Sequence, residues 1–133
     1  MRRALLVILA AGLLSACGGG HSVPPAELAA AATAAKAYMA KNATAEGVQS
    51  LPSGVQYKIV RSGPATGMRP QKSDEVKVHY EGKLADGKVF DSSYERGQPA
   101  AMPLRALIPA WVEALQLMRP GDEWILYVPP QMG

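Results

Sequence analysis

Six large apolar or aromatic side chains, Tyr80, Phe90, Met102, Leu107, Ile108 and Trp111, fall at the ends of predicted elements around one long polar loop. An apolar ligand cleft is lined in this way, with hydrophobic walls and few polar groups. Chemistry that needs a nucleophile or a metal has little to draw on. The 133 residues include one cysteine, Cys17, and two histidines. There is no His/Cys/Asp/Glu group at metal-ligand spacing, no G-x-S-x-G turn, and no pair of carboxylates set in apolar surroundings. Hydrolysis and redox chemistry are poorly supported, and neither a metal nor another cofactor is expected. By periodicity alone Tyr80 and Trp111 read simply as buried residues.

The elements that must position these side chains follow from hydropathy and turn signals. Val55, Tyr57 and Ile59 alternate with polar residues after the Pro52-Ser53-Gly54 turn, which predicts a strand with one buried face. In a second strand Val76, Val78 and Tyr80 share one face, and Lys77, His79 and Glu81 the other. His79 is therefore assigned to structure or solvent. Asp86-Gly87 marks a tight turn, with a third strand through Phe90 pairing back on the second. Asp91 to Pro103 is polar and proline-bounded and reads as a long loop. A helix opens at Pro109 with Ile108, Trp111, Leu115 and Met118 on one side, and Pro120-Gly121 stops it. Trp124, Leu126 and Val128 then alternate in a last β-rich run. The expected class is α+β, an antiparallel twisted sheet wrapped on one short helix.

The N-terminal third is of a different kind. Arg2 and Arg3 precede the unbroken apolar run Ala4 to Leu14, the pattern of an export signal, and eleven apolar residues fall short of the roughly 20 that span a membrane. Leu14-Ser15-Ala16-Cys17 resembles the lipobox of bacterial lipoproteins, which implies cleavage before Cys17 and a lipid on its sulfur. By the same resemblance Gly18, where an aspartate would hold the protein at the inner membrane, favours the outer one. Gly18 to Pro25 reads as a tether, and the alanine-rich stretch from Ala26 to Ala45 as a helix ended by Gly47, too short for a dimerising arm. The division is then 1–16 signal, 17–50 tether and helix, 51–133 folded domain, and a monomer is expected. Without Arg2 and Arg3 the chain carries twelve Lys and Arg against eleven Asp and Glu, so nucleic acid is not an expected partner.

Four blocks together carry a family resemblance: Val78-His79-Tyr80-Glu81-Gly82, Leu84 through Ser93, Ile108-Pro109-Ala110-Trp111, and Gly121-Asp122 before Trp124 to Pro130. In order and spacing they resemble the FKBP-type peptidyl-prolyl cis/trans isomerases, in their bacterial exported branch, from about Leu51 onward. The resemblance implies that Tyr80, Phe90 and Trp111 form the walls and floor of a proline pocket, with Leu107 and Ile108 at its rim and Met102 on its wall. It implies further that the Ile108 N–H grips a substrate carbonyl, and that Asp91 faces the pocket with Arg96 as its partner. From the residues alone, Asp91 before Ser92-Ser93 reads as a turn-capping side chain and Arg96 as a solvated charge. The implied activity is X-Pro isomerisation in exported polypeptides in the periplasm. The alternatives are a non-catalytic chaperone or proline-segment binder, and a structural surface lipoprotein.

Two departures from the family pattern stand out. Ala100 and Met102 lie where the family often has phenylalanines. The chain also stops at Gly133, where the family continues with a Tyr-Gly pair, a flap loop and a last strand between those of Tyr80 and Leu126. The resulting expectation is a partial or truncated chain with the last strand missing and two interior sheet edges unpaired, poorly stable and weakly active.

Overall fold

A computed structural model describes residues 24–133 and the backbone of residues 3–10. Cys17 and its lipobox lie outside the described residues. Strand β1 (Arg3–Ala10) and helix α1 (Pro25–Asn42) come first, followed by β2 (Val48–Ser50), β3 (Gln56–Arg61), β4 (Glu75–Leu84), β5 (Val89–Ser92), β6 (Ala100–Pro103), α2 (Pro109–Leu115) and β7 (Glu123–Val128). The strands form one sheet in the order β2-β3-β7-β1-β4-β5, with β6 also on β4. The result is an α+β fold.

Most of the sheet is antiparallel: β3–β7 and β4–β6 join segments distant in the chain, while β2–β3 and β4–β5 are closed by local turns. The β4–β5 turn shows how: the Leu84 N–H donates to the Lys88 carbonyl and the Gly87 N–H to the Leu84 carbonyl, and Gly87 takes φ 91°, where only glycine is unstrained. The Asp86 carboxylate accepts from the Lys88 N–H at 2.9 Å and fixes the corner. Strand β1 is the exception and runs parallel to both of its neighbours, with Leu6 opposite Tyr80 on β4 and opposite Trp124 on β7. The two interior edges that the sequence reading leaves open are thus paired, and their partner is the apolar N-terminal run. An extended chain with many β-branched and aliphatic residues meets the hydrogen-bonding demand of both edges.

The core lies between the sheet and α2. Val76 and Val78 of β4, Trp124, Leu126 and Val128 of β7, and Ala110, Trp111, Ala114 and Leu115 of α2 are all buried, with Leu104 and Met118 closing the ends. Pro109 occupies the first turn of α2, where its missing N–H costs nothing.

Two local expectations change. Ile59 is 41% exposed although Val55 is fully buried, because the β3–β7 register shifts between Ile59 and Arg61 and the strand leaves the core there. Gln56 is buried instead, and its amide donates to the Met39 carbonyl of α1 at 2.8 Å. The second change falls in the stretch read as a loop through Pro103, which ends in β6. Its residues Ala100 to Pro103 pair with Val78 to Glu75 of β4. Strand β4 is ten residues long, and β5 covers only one half of its outer edge. The other half recruits β6, a tertiary demand that four weakly patterned residues do not announce.

Candidate active site

Tyr80, Gly82, Phe90, Asp91, Met102, Leu107, Ile108 and Trp111 line one open, largely apolar cleft of about 220 Å³. Its floor is Trp111, 7% exposed, on the first turn of α2. The Tyr80 ring stands edge-on to it at a centroid distance of 5.2 Å and an interplanar angle of 78°, a favoured aromatic geometry. Phe90 forms an outer wall and is 47% exposed, while Ile108, at the N-cap of α2, is 37% exposed at the rim. Seven of the eight predicted pocket residues therefore meet in one place. The eighth, Arg96, stands at the polar margin.

That margin is a closed triangle. The Tyr80 hydroxyl donates to Asp91 Oδ2 at 2.5 Å, Arg96 Nη1 donates to Asp91 Oδ1 at 2.5 Å, and Arg96 Nη2 donates to the Tyr80 hydroxyl at 2.8 Å. The guanidinium also lies 5.4 Å from the Tyr80 ring centroid, within cation–π range. Asp91 thus turns its carboxylate to the cleft, and the turn that follows is capped by Ser92, whose hydroxyl accepts from the Glu95 N–H at 3.4 Å.

Electrostatics keep the triangle in one protonation state. Partial desolvation pushes the Asp91 carboxyl up, but the hydrogen bonds from Tyr80 and Arg96 and the charge of Arg96 outweigh it and hold the group below the ordinary carboxylate range. Desolvation, followed by the bond to Asp91, raises the Tyr80 phenol. A carboxyl whose folded value is depressed contributes its stabilisation above its unfolded value near pH 4 and loses it as pH falls through the lower folded value. Between about pH 5 and about pH 9 neither group changes charge. The Tyr80 ring signals followed by NMR should accordingly show no titration step across that window and should shift only under strong acid. If Asp91→Asn removes a step between pH 5 and pH 9 that the parent chain shows, the charge state assigned here is wrong.

Two contributors escaped the sequence reading. Ser93 fixes the backbone beneath Tyr80: its hydroxyl accepts from the Tyr80 N–H at 2.7 Å and its own N–H donates to the Tyr80 carbonyl at 2.9 Å. His79 stays on the far face, stacked on Tyr94 with ring centroids 4.8 Å apart and its Nδ1 3.0 Å from the Ser93 hydroxyl. Gly82 is the other, and it lines the cleft itself. Both stand inside the family blocks, but a serine and a glycine carry no hydropathy signal.

Residues 67–133 match the family described as FKBP-type peptidyl-prolyl cis-trans isomerase, and residues 23–59 match the domain amino terminal to it. The chain belongs to the FKBP-type isomerase family. Among curated proteins it is 49% identical over 98 residues to the peptidyl-prolyl cis-trans isomerase Mip of Coxiella burnetii, covering 74% of this chain and 42% of that one. It is 47% identical over 96 residues to the FKBP-type 22 kDa isomerase of Escherichia coli, covering 72% and 46%. Among solved structures, FkpA from Escherichia coli superposes with a TM-score of 0.68 at 39% identity, over 74% of this chain and 46% of that one. The chain thus spans less than half the length of these relatives.

Proposed function

We propose that the chain accelerates X-Pro cis/trans isomerisation, with the proline ring seated on Trp111 between Tyr80 and Phe90. The carrying observation is the convergence of these three aromatics on a cleft of about 220 Å³, with Met102, Leu107 and Ile108 completing its apolar wall. The peptide bond presents a rotational barrier of about 18–20 kcal/mol, and the uncatalysed reaction takes tens to hundreds of seconds. Lowering it breaks no bond and needs no nucleophile. Water stabilises the planar, charge-separated amide more than the twisted one, so a cleft that strips water favours the twisted state. Each preference of about 1.4 kcal/mol is tenfold in rate. The N–H of Ile108 joins no hydrogen bond among the described residues and sits at the rim. It is the donor we assign to a substrate carbonyl. The Asp91–Arg96–Tyr80 triangle holds the tyrosine ring against rotation and supplies the polar edge.

A protease-coupled isomerisation assay on a proline-containing peptide tests this reading. The expected result is a first-order rate that rises linearly with protein concentration. Suppression of aggregation without rate enhancement would point to a binding module instead.

The site of action we assign is the cell envelope, with Cys17 as the lipid-bearing residue of a tethered, monomeric domain. Supporting this are the charged and apolar start of the sequence, the lipobox-like residues 14–17, and the name of a relative from Legionella longbeachae, outer membrane protein MIP, 47% identical over 97 residues. No helix among the described residues is long and apolar enough to cross a membrane. Cleavage before Cys17 would remove β1 as well, so the lipidated chain and the chain with residues 3–10 in the sheet are alternative fates of that segment. Fatty-acid labelling that persists in the parent chain and vanishes in Cys17→Ser is the expected outcome. Labelling that survives the substitution would refute it.

A further inference from the structure

Phe90 and Asp91 are consecutive residues of one strand, yet both side chains reach the same cleft. In a regular strand neighbours point to opposite faces. The β4–β5 register explains the exception: Gly82 pairs with Asp91 and Lys83 with Val89, so Phe90 is the extra residue of a β-bulge. A bulge re-aims a side chain at the cost of one ladder position. Here it swings the Phe90 ring across β4, and the ring comes down on Gly82. A Cβ at Gly82 would lie 2.7 Å from Phe90 Cζ and 2.8 Å from Cε2, where carbon atoms normally rest at about 3.5–4.0 Å. The three atoms nearest that Cβ all belong to the Phe90 ring, and Gly82 has no positive φ, so its backbone conformation does not itself require glycine.

We propose that Gly82 is a positioning residue of the isomerase cleft: its bare Cα is the seat that lets the bulged Phe90 ring lie in the pocket wall beside Asp91. The inference rests on the function proposed above and adds to it a residue that acts on substrate only through Phe90. A side chain at this position lifts the tip of the ring by about 1 Å, the scale of misplacement that can cost up to about a hundredfold in rate. Because Phe90 is almost half exposed, the ring has room to swing outward. The substitution therefore moves the wall without breaking the core.

Phe90 is the only phenylalanine in the chain, so its ring signals in an NMR spectrum are unambiguous and can be followed whether or not the protein is active. In the parent chain, nuclear Overhauser contacts from the Phe90 ring to the Gly82 α-protons are expected, and Gly82→Ala should shift the ring signals. Gly82→Ala should lower kcat/KM at least tenfold through kcat, while in a Phe90→Leu background the same substitution should cost threefold or less, since the shorter side chain has no ring to displace. Should Gly82→Ala fail to fold, recovery of a folded chain in the double variant supports the proposal, and failure of both variants overturns it. Equal losses in the two backgrounds overturn it as well, as does an unmoved Phe90 ring. An inactive parent chain whose Phe90 signals still respond to Gly82→Ala would refute the isomerase reading and leave the ring seat standing.

Discussion

Trp111→Ala should lower kcat/KM for prolyl isomerisation at least a hundredfold and cost about 3–5 kcal/mol of folding stability, the usual range for truncating a buried aromatic. No other residue of the site carries so large a double load. Trp111 is the floor of the cleft, the edge-to-face partner of Tyr80, and a member of the core cluster with Ala110, Ala114 and Leu115. Against a total stability of about 5–15 kcal/mol, such a loss leaves a marginal protein. Urea titration followed by circular dichroism gives the stability term, and the assay is then read at a temperature where the variant is folded. Trp111→Phe keeps an aromatic floor and should stay within about tenfold of the parent in kcat/KM, a difference of about 1.4 kcal/mol. A folded Trp111→Ala chain with kcat/KM within threefold of the parent would mean that the proline sits elsewhere.

A loss of stability of similar size is expected at a residue with no part in the chemistry. Gly63 follows β3, and a Cβ there would stand 2.1 Å from the carbonyl oxygen of Pro120 and 3.0 Å from Gly121 Cα. These are backbone atoms, so no rotamer change can relieve the clash. The same junction is tied by Asp122, buried, whose carboxylate accepts from the Gly63 N–H at 2.6 Å and from the Arg119 N–H at 2.9 Å. Gly63→Ala must part the two segments and lose the first of those bonds. Its expected cost is at least about 3 kcal/mol, the upper end of overpacking effects. Gly97→Ala is the control. Gly97 has φ 71° but nothing within 4 Å of a would-be Cβ, so only the conformational term of about 1–2 kcal/mol remains. Urea midpoints compared across the three chains at constant m-value decide the matter. A Gly63→Ala midpoint at or above that of Gly97→Ala would contradict the packing described here.

Much of the site was legible because its residues announce themselves by size and spacing. Tyr80, Phe90, Ile108 and Trp111 stand at the ends of patterned segments, and the order of the four sequence blocks ties those ends to one family. Asp91 was ambiguous from the residues alone, since an aspartate before two serines caps a turn as readily as it faces a pocket. The fold separates these roles by giving the capping to Ser92 and turning the Asp91 carboxylate to Tyr80 and Arg96.

What the sequence by itself determined is what local physics determines. The alternation in β4 and β7, the Asp86-Gly87 corner and the proline at the start of α2 each follow from side-chain periodicity or from backbone φ preferences that act within a few residues. What only the tertiary structure decided is pairing between distant segments. Strand β6 exists because β4 has an uncovered half-edge, and the apolar N-terminal run lies between β4 and β7 because both present unmatched N–H and C=O groups. Gly82 and Ser93 matter only through what is laid on them, a phenylalanine ring and a tyrosine backbone. A glycine and a serine carry no pattern that could disclose such a neighbour, because close approach is a property of the folded pair.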